Sequence, residues 1–457
     1  MGFRRSLESD RFFGDFDVVA FSVPYELDYL SIPSILEAGG LPPHARDRSE
    51  RQPLIMAGGA ALAINPEPVA DFVDLIVPGE AEEVLPVLLK AIEEVLKQPR
   101  EEQLRRLARV EGVYVPRGYR LVFTKNSARL RAEKGFPQPV IRPRPACLEQ
   151  FPAFSRVLTP ATVFSNRVLV EIGRGCERGC RFCAAGYLYR PVRWLKAEAV
   201  LDLCRGIGDR ADAFGLVSPA VSDHPGIISI LEGLLTSGFK VSVSSLRVET
   251  ATPRLIELLA LLGQETVTLA PEAGSAELRK LIKKDVPDDL FLDVLKHARR
   301  SGFSRAKLYF LVGLPRETDR DLDRLALLAE RAAKVIPLGV SISPFIPKPG
   351  TPFQWVPQTP LPELKAKLRY LRSRLGRQKN LKVEATSARE SFRQAILDRG
   401  DRRLGALIEK GDWRRAAELF PPSQAPDSDR ESPPIFFKGG LTISTIRREY
   451  ESFMNTG

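Results

Sequence analysis

Short apolar runs alternate with amphipathic stretches along most of the chain. In the first hundred residues, strand-like runs occupy Asp17–Val23, Leu54–Ala57 and Leu75–Val77, and the periodicity predicts a helix at Glu82–Leu96. Apolar strands separated by helices are typical of a parallel sheet with crossover connections. Three strands make about half of a doubly wound sheet, so residues 1–98 are predicted to form an incomplete Rossmann-like domain.

Residues 99–165 are rich in proline and arginine and are predicted to connect two domains. Within them, VYVP and YRLVF flank the pair Arg117-Gly118. Two apolar segments separated by a glycine-containing turn are typical of a β-hairpin, which we therefore predict at Gly112–Thr124.

Strand-like and helical patterns alternate regularly in residues 166–357. Six strand–helix repeats are too few for a closed eight-stranded barrel, so the pattern predicts a partial (β/α)6 TIM-like barrel. The predicted strands are Val168–Ile172, Phe214–Val217, Lys240–Ser244, Thr266–Ala270, Lys307–Val312 and Gly339–Ser343. The predicted helices between them include Pro225–Leu235, Pro253–Leu262, Leu290–Arg299 and Asp319–Lys334.

The last region, residues 358–457, is predicted to be basic and mainly helical. Its helices are predicted at Leu361–Leu375, Arg389–Leu397 and Trp413–Leu419, and a Pro- and Ser-rich segment at Pro421–Pro434 is predicted to be a flexible linker. The chain as a whole is therefore predicted to be an α/β protein, with the partial barrel between the incomplete Rossmann-like domain and this helical tail.

Positive charge is concentrated near the end of the chain. Residues 361–457 carry 20 basic and 13 acidic side chains, which accounts for +7 of the formal net charge of +11. Clustered positive charge attracts nucleic acid. Because no recognised RNA-binding module accompanies these basic residues, a solvated surface is the favoured interpretation, and RNA binding is the alternative.

The composition excludes wholesale disorder and a membrane span. The chain has 457 residues, of which 44% are hydrophobic and 27% charged, as in proteins that bury a large core. Its longest apolar run, Leu54–Ile64, is about eleven residues, well short of a bilayer. The first residues are charged and lack the apolar core of a secretory signal. We expect a cytoplasmic protein without membrane contact.

Three of the five cysteines lie close together in the sequence. Cys176, Cys180 and Cys183 are separated by three and then two residues, whereas Cys147 and Cys204 stand apart and are predicted to be small buried side chains. The close cysteines follow the first predicted barrel strand, at the end where barrel enzymes place their active sites.

This spacing suits an iron–sulfur cubane, with three thiolates on three irons and the fourth iron open. A structural zinc site is the alternative, but it would need a fourth ligand nearby. The histidines, His44, His224 and His297, are all distant in sequence, although His224 lies just after the second predicted barrel strand. The cluster is therefore favoured over zinc.

The segment CERGCRFC has the CxxxCxxC pattern, with an aromatic residue before the last cysteine, and resembles the radical S-adenosylmethionine (SAM) superfamily. The segments RGCERGCRFCAAGYLYRPVR, LAPEAGSAELRKLIKK, KLYFLVGLPRET and ISPFIPKPGTPFQW extend the resemblance to a branch with a cobalamin-binding-type front domain. It covers about residues 16–415. It implies a 4Fe–4S cluster and SAM as cofactors, with reductive cleavage of SAM to a 5′-deoxyadenosyl radical that abstracts hydrogen from a substrate.

The resemblance also implies the residues that bind the cofactors. Cys176, Cys180 and Cys183 would hold the cluster, and Phe182 would lie near the adenine of SAM. The family's Gly-Gly-Glu stretch is absent after the second strand, where Ser222 and Asp223 are the possible substitutes. The further expected contacts with SAM are Arg247, Glu272, Gly313 and Glu317. For Arg247 a surface salt bridge is the alternative role, and for Glu317 support of the following helix.

The front domain departs from this family branch. MAGGAALAINPEPVADFVDLIVPGEAEE resembles the second half of a cobalamin-type domain, but the first strand–helix unit and its DxHxxG signature are missing. Cobalamin is therefore not expected to bind this chain. The missing strands would also leave an unpaired sheet edge, unless an upstream start or a partner restores them.

The sequence thus predicts a radical SAM enzyme with an unidentified substrate and a reductant such as a flavodoxin or ferredoxin. Two alternatives remain from other classes of protein. A cobalamin-dependent radical methyltransferase would result if the front domain is completed, and a non-catalytic iron–sulfur or RNA-binding protein if SAM is not cleaved.

Overall fold

Parallel strands carry most of the sheet structure, and the protein is of the mixed α/β class, as the sequence predicts. The computed structural model describes residues 5–123, 128–426, 437–439 and 441–456. The strands are β1 (Val18–Ser22), β2 (Leu54–Gly58), β3 (Leu75–Val77), β4 (Tyr119–Phe123), β5 (Ala128–Ala132), β6 (Val140–Ile141), β7 (Val168–Glu171), β8 (Gly173–Arg174), β9 (Arg193–Trp194), β10 (Ala213–Val217), β11 (Lys240–Val243), β12 (Thr266–Glu272), β13 (Arg305–Val312), β14 (Leu338–Pro344), β15 (Leu381–Ala385) and β16 (Phe437–Lys438).

Helices connect most of the parallel strands. They are α1 (Ile32–Ala38), α2 (Ala60–Ile64), α3 (Val84–Val95), α4 (Arg100–Leu107), α5 (Ala185–Leu188), α6 (Ala197–Ile207), α7 (Ile227–Thr236), α8 (Pro253–Leu261), α9 (Ala276–Leu281), α10 (Asp288–Arg300), α11 (Asp319–Ala333), α12 (Leu361–Leu375), α13 (Ala388–Arg399), α14 (Leu404–Lys410), α15 (Trp413–Leu419) and α16 (Ile443–Asn455). None of the helices in the described residues combines the length and apolar character that a membrane span requires.

The chain divides into two compact units, each assembled from separate stretches of sequence. The front unit comprises Met1–Pro145, Ile346–Gln358 and Phe392–Arg447, and the barrel unit comprises Ala146–Phe345, Thr359–Ser391 and Arg448–Gly457. Residues 358–457 are thus shared between the two units. The four-region division drawn from the sequence stays a prediction.

The front unit contains a three-stranded parallel sheet in the order β1-β2-β3, at the places that the sequence predicts. Among the described residues, no strand pairs with the outer edge of β1. The core on this sheet is completed by side chains from the end of the chain, including Ile396, Leu397 and Leu404. The buried Asn65 amide donates hydrogen bonds to three carbonyls of that stretch, so it joins the two parts of the unit.

A buried ion cluster also joins separate stretches of the front unit. The Lys348 ammonium lies 3.0 Å from the Asp398 carboxylate and also pairs with Glu26. Both carboxylate side chains are almost fully buried. Burial raises the pKa of Asp398, and the charge of Lys348 opposes that rise. The positive charge of Lys348 therefore compensates the negative charge of these buried carboxylates, which would be costly to bury without a counter-charge.

The predicted hairpin at Gly112–Thr124 is wrong. Residues 116–118 form a 3-10 turn, Tyr114 exchanges backbone hydrogen bonds with Ile76 of β3, and β4 pairs with β5 instead. Residue 124 lies outside the described residues. The backbone of Tyr114 thus pairs with the edge of β3, and a pairing with so distant a strand cannot be read from the local sequence. The hairpin forms one segment later in the chain.

The barrel unit contains seven parallel strands in sequential order. One sheet has the order β11-β10-β7 and the other β12-β13-β14-β15, and a parallel bridge between Leu246 and Leu269 links them. All six predicted barrel strands are present, and β15 is a seventh that the sequence analysis missed. The result is a partial barrel with helices packed on its outer face.

Alternation along the strands separates the two faces of the barrel wall. In β13, Ala306, Leu308, Phe310 and Val312 are buried and belong to the core shared with the outer helices. The intervening side chains are half-buried or exposed and line the opposite, inner face. Successive side chains of a strand point to opposite faces, so the inner face of β12–β15 is polar and accessible.

The predicted helices of the tail are present at α12, α13 and α15. Helices α14 and α16 were not predicted. Much of the linker predicted at Pro421–Pro434 lies outside the described residues.

Candidate active site

The three close cysteines lie on the loop that follows β7. All three are free thiols, of which Cys180 is buried and the other two are half-buried. Phe182, in the same loop, is half-buried. Burial raises the pKa of the Cys183 thiol to about 11, with further rises from the charges of Cys180 and Cys176. Ionised Cys180 and Cys176 would therefore repel a thiolate at Cys183.

The backbone holds this cysteine loop in a compact conformation. Gly175 has φ +90°, and a Cβ there would lie 2.3 Å from the carbonyl oxygen of Tyr189. The Arg190 guanidinium donates to the Cys176 carbonyl at 3.0 Å, and the Tyr187 hydroxyl donates to the Gly179 carbonyl at 2.8 Å. Side chains of the loop thus bind its own backbone carbonyls, and the Cys180 thiol donates to the Lys283 carbonyl at 3.7 Å.

Two cations border the buried cysteine. Burial raises the pKa of the Cys180 thiol, and the positive charges of Lys284 and Arg247 oppose that rise. Free thiols with positive charge beside them form a donor set that fits an anionic iron–sulfur cluster. Among the described residues, no group of three or more His, Cys, Asp or Glu side chains could hold a single metal ion. This is compatible with a cluster, because three thiolates that each bind a different iron are further apart than the ligands of a single metal ion.

His224 does not act as a fourth ligand in this arrangement. Its Nε2 lies 2.8 Å from the Leu195 carbonyl, and its Nδ1 accepts a hydrogen bond from the Gly226 amide at 3.0 Å. The side chain is buried, and burial lowers its pKa. Both ring nitrogens are used by the backbone. His224, the histidine closest in sequence to the three cysteines, is therefore not available as the fourth ligand of a zinc site.

Ser222 and Asp223 lie beside the cysteine loop, but they bind other residues of the protein. The Arg178 guanidinium donates to both oxygens of Asp223, at 2.8 and 3.0 Å. The Thr250 hydroxyl lies 2.9 Å from Asp223 Oδ1 and from Ser222 Oγ, and Ser222 Oγ accepts from the Arg247 amide. These contacts tie the cysteine loop to the loops after β10 and β11. Their predicted contact with the methionine amino group stays a prediction.

Arg247 is not a surface residue. Its side chain is 13% exposed, and its guanidinium lies 2.6 Å from Glu249 and 3.8 Å from Asp223. The guanidinium also adjoins Cys180 and carries a buried Nε without a hydrogen-bond partner. The salt bridge considered from the sequence is thus present, but it is largely buried and lies next to the cysteine loop. Contact with the SAM carboxylate stays a prediction.

Glu272 ends β12 in an uncommon backbone conformation. Its φ is +66°, at a register shift in the pairing with β13. Such angles are disfavoured for residues with a Cβ and are concentrated at functional sites. Lys284 lies 3.1 Å from the Glu272 carboxylate and also influences the Cys180 thiol. Glu272 therefore belongs to the same polar cluster as the cysteine loop.

Gly313 and Glu317 form a closed turn after β13. Gly313 has φ +77°, and its amide donates to Glu317 Oε1 at 2.8 Å. Lys367 of α12 lies 2.8 Å from the same carboxylate, which is 2% exposed. Burial raises the pKa of Glu317, and the charge of Lys367 opposes that rise. These contacts tie Glu317 to the turn, and the predicted contacts of Gly313 and Glu317 with SAM stay predictions.

Residues 452 and 453, near the end of the chain, contact the cysteine loop, and local sequence patterns do not indicate this arrangement. Within the barrel unit, Arg181 donates to the Ser452 hydroxyl at 3.2 Å and lies over the ring of Phe453. Lys283 pairs with Glu449 at 2.6 Å. Arg181 also donates to the Leu281 carbonyl at 2.7 Å. Each of these pairs joins residues at least 100 positions apart, so no local pattern indicates it.

The two cysteines outside the loop differ from each other. Cys204 is fully buried in the core of the barrel unit, as predicted. Cys147 is only half-buried, and its thiol donates to the Glu149 carboxylate at 3.0 Å. The prediction that both are buried side chains is therefore wrong for Cys147, because its position beside the 3-10 turn at Leu148–Gln150 gives the thiol a polar partner.

Comparison with known proteins gives consistent matches over both units. A family model described as radical SAM proteins, N-terminal, matches residues 3–116, and one described as the radical SAM superfamily matches residues 170–329. An uncharacterised protein of Methanocaldococcus jannaschii is 31% identical over 400 residues, which cover 86% of this chain and 80% of that protein.

More distant relatives have assigned activities. A tRNA-2-methylthio-N(6)-dimethylallyladenosine synthase of Anaplasma phagocytophilum is 26% identical over 276 residues, which cover 56% of this chain and 61% of the relative. The structure of a radical SAM methyltransferase from Kitasatospora setae, with cobalamin and a [4Fe–4S] cluster bound, has a TM-score of 0.50 and 14% identity, and the match covers 75% of this chain and 68% of that one. This last likeness shows the fold alone.

The matched families, the partial barrel and the three-cysteine loop agree with one another. The protein is an enzyme, and the cofactors of its family are a 4Fe–4S cluster and SAM. This chain belongs to the radical SAM superfamily.

Proposed function

We propose that the enzyme cleaves SAM reductively and uses the resulting 5′-deoxyadenosyl radical to abstract a hydrogen atom from a substrate that is still unidentified. The observation that carries this proposal is the loop of three free cysteines at the carboxyl end of β7, with Arg247 and Lys284 beside Cys180. A loop at this end of a barrel strand is where barrel enzymes carry out their chemistry.

Cys176, Cys180 and Cys183 would hold three irons of the cluster. When bound and reduced, the cluster supplies one electron, which breaks the sulfonium C–S bond of SAM and leaves methionine and the 5′-deoxyadenosyl radical. The chain contributes fixed charge and orientation. Burial of Cys180 keeps water away from its sulfur atom, and the adjacent guanidinium and ammonium offset the negative charge that accumulates there.

Arg247 and Glu272 are the side chains that we propose as SAM contacts. The unpartnered buried Nε of Arg247 leaves a hydrogen-bond donor beside the cysteine loop, and a guanidinium suits a carboxylate such as that of methionine. Glu272 is held at the end of β12 by Lys284, where its second carboxylate oxygen could accept from an amino or hydroxyl group. Ser222 and Asp223 would position the surrounding loops rather than bind SAM.

The proposed reaction needs an external electron donor. A small electron-carrying protein such as a flavodoxin or ferredoxin would supply one electron for each SAM cleaved. The radical then takes a hydrogen atom from the substrate, which gives 5′-deoxyadenosine and a substrate radical.

The test is anaerobic reconstitution with iron and sulfide, reduction with dithionite, addition of SAM and quantification of 5′-deoxyadenosine. Cys183→Ala is the inactive comparison, and Cys204→Ala is the matched control because Cys204 lies in the core away from the loop. We expect product from the wild type and from Cys204→Ala, and none from Cys183→Ala. A fully formed cluster in the wild type that yields no product would contradict the proposal.

A further inference from the structure

A basic cleft lies at the amino ends of β12–β15, the end of the half-barrel opposite the candidate active site. It has a volume of about 720 Å³ and is lined by the first residues of these strands and by the loops before them. Four basic side chains line it, Arg305, Lys307, Lys379 and Lys382, against one acidic side chain among the described lining residues, Glu384. Glu265 lies 3.6 Å from Arg305 at the rim.

The strand register places two of these lysines on either side of a glycine. Lys307 pairs with Gly339 across β13 and β14, and Gly339 pairs with Lys382 across β14 and β15. Neighbouring strands lie about 4.8 Å apart, so the Cα atoms of the two lysines are about 10 Å apart with no side chain between them. Nearby Lys382 and Lys307 lower the pKa of Glu384. The glycine leaves the strand surface between the two lysines free of a side chain, and the Glu384 carboxylate lies 3.5 Å from Lys307 Nζ and 3.2 Å from Lys382 Nζ. A ligand phosphate would therefore compete with one carboxylate for two ammonium groups.

An accessible aromatic ring lies next to these charges on the same face. Tyr309 is two residues beyond Lys307 in β13 and is 37% exposed, and the Lys307 ammonium lies 5.2 Å from its ring centroid. The strand register places this tyrosine of β13 on the same face as Lys382 of β15. A positively charged groove with an exposed aromatic ring is the arrangement that binds single-stranded nucleic acid, through phosphates and base stacking.

The same face runs from the cleft towards the candidate active site. From Lys307 to the end of β13 at Val312 is five residues, or about 17 Å along the strand. Ser341 and Ser343 of β14 continue the polar lining in that direction. An electron-donor protein has to approach the cluster at the other end of the strands, so the cleft is poorly placed for such a partner.

From this placement we infer that the basic cleft binds the phosphodiester backbone of a single-stranded nucleic acid, whose bases extend along the inner face of the barrel towards the active site. The inference rests on the proposed function insofar as it names the substrate class of that reaction. The binding itself is measured without SAM cleavage.

The test uses the full-length reconstituted protein and fluorescence anisotropy of labelled single strands of about 20 nucleotides, one of uridylate and one of thymidylate. The test variant is the double substitution Lys379→Glu and Lys382→Glu. Lys365→Glu is the control, because Lys365 is exposed on α12, a helix that packs on the outer face of the barrel. A third variant, Tyr309→Ala, removes the ring and no charge.

We expect at least about tenfold weaker binding by the double variant at moderate salt, with less than about twofold change in the control. The slope of log K against log salt should shrink by about 1.4, since each phosphate contact contributes about 0.7 for single strands. Tyr309→Ala should weaken binding about tenfold with the slope unchanged. Binding of either strand or of both in this pattern supports the inference.

Three results would overturn the inference. They are the absence of binding by both strands, equal weakening in the control, and competition by polyglutamate or inorganic phosphate as strong as that by the unlabelled strand. Polyglutamate competition would indicate an acidic protein partner instead. If the strands do not bind but 5′-deoxyadenosine still forms, only this inference fails. If they bind as expected but no 5′-deoxyadenosine forms, only the proposed function fails.

Discussion

Replacing Lys367 with methionine removes the counter-charge of the most deeply buried carboxylate near the active site. The Lys367 ammonium lies 2.8 Å from Glu317 and 3.2 Å from Glu363, and the side chains of Lys367 and Glu317 are 9% and 2% exposed. Methionine has a similar length and fills the same space without charge. After the substitution, the Glu317 carboxylate keeps only its backbone hydrogen bonds, from the amides of Gly313 and Leu314.

The expected loss of unfolding free energy is large at neutral and alkaline pH. Removing one partner of a buried ion pair costs about 3–5 kcal/mol, because the remaining charge stays uncompensated. Lys365→Met is the matched control, with the same substitution on an exposed position of the same helix, and should change stability by about 0.5 kcal/mol or less.

The loss should shrink as the pH falls. Burial already raises the pKa of Glu317, and the variant lacks the lysine charge that opposes this rise. A carboxyl whose folded pKa lies above its unfolded value contributes stability that is fully present below the unfolded pKa and is lost as the pH rises through the folded pKa. Protonated Glu317 needs no counter-charge, so the variant approaches the wild type in acid.

Guanidinium unfolding followed by circular dichroism, at about pH 8 and about pH 5.5, measures both effects. SAM affinity is measured in parallel on the reconstituted protein. A midpoint for Lys367→Met equal to that of Lys365→Met at about pH 8, or a deficit that grows towards acid, would refute the reasoning. A loss of SAM affinity without loss of stability would instead assign Glu317 to the cofactor.

Three further substitutions test other parts of the structure. Gly175→Ala should prevent stable cluster assembly, because its Cβ would lie 2.3 Å from the Tyr189 carbonyl oxygen; iron and sulfide content after reconstitution measures this, and a full complement would contradict it. Glu272→Gln should weaken SAM binding about tenfold, the loss of roughly one charged hydrogen bond, with iron content unchanged, as equilibrium dialysis can show. An unchanged dissociation constant would exclude the proposed contact. Lys348→Met should destabilise the front unit by about 3–5 kcal/mol, since Asp398 would lose its buried partner; thermal unfolding would detect it, and an unchanged midpoint would show that the carboxyl is neutral in the fold.

Local patterns predicted the elements that are fixed by local forces. The strand β3 and the helices α12 and α15 have the predicted bounds, because apolar periodicity over a few residues decides them. The strand β15 was missed although Leu381, Val383 and Ala385 alternate with charged residues. Five alternating residues in a helical region are a weak signal, and pairing with β14 decides the outcome.

In the candidate site, too, the features set by local sequence were predicted and those set by distant contacts were not. The spacing of the cysteines is local and indicated the cluster loop directly. The partners of the other predicted residues come from distant sequence: Arg178 binds Asp223 across 45 positions, and Lys367 binds Glu317 across 50. Such pairs depend on which loops the barrel brings together. For this reason the sequence could name Asp223 and Glu317 but could not show that the protein's own cations already bind them.

The composition of the front unit has a consequence for the order of folding during synthesis. The Asn65 amide bonds to carbonyls that follow it by 332 to 335 positions, and Ile396, Leu397 and Leu404 complete its core. At about 5–20 residues per second, a ribosome needs about 17–66 s to produce that stretch. The strands from β7 to β14 emerge earlier and without interruption. The middle of the nascent chain therefore supplies the barrel strands β7 to β14 while the apolar face of the front sheet still lacks its cover, which comes from the last quarter of the chain.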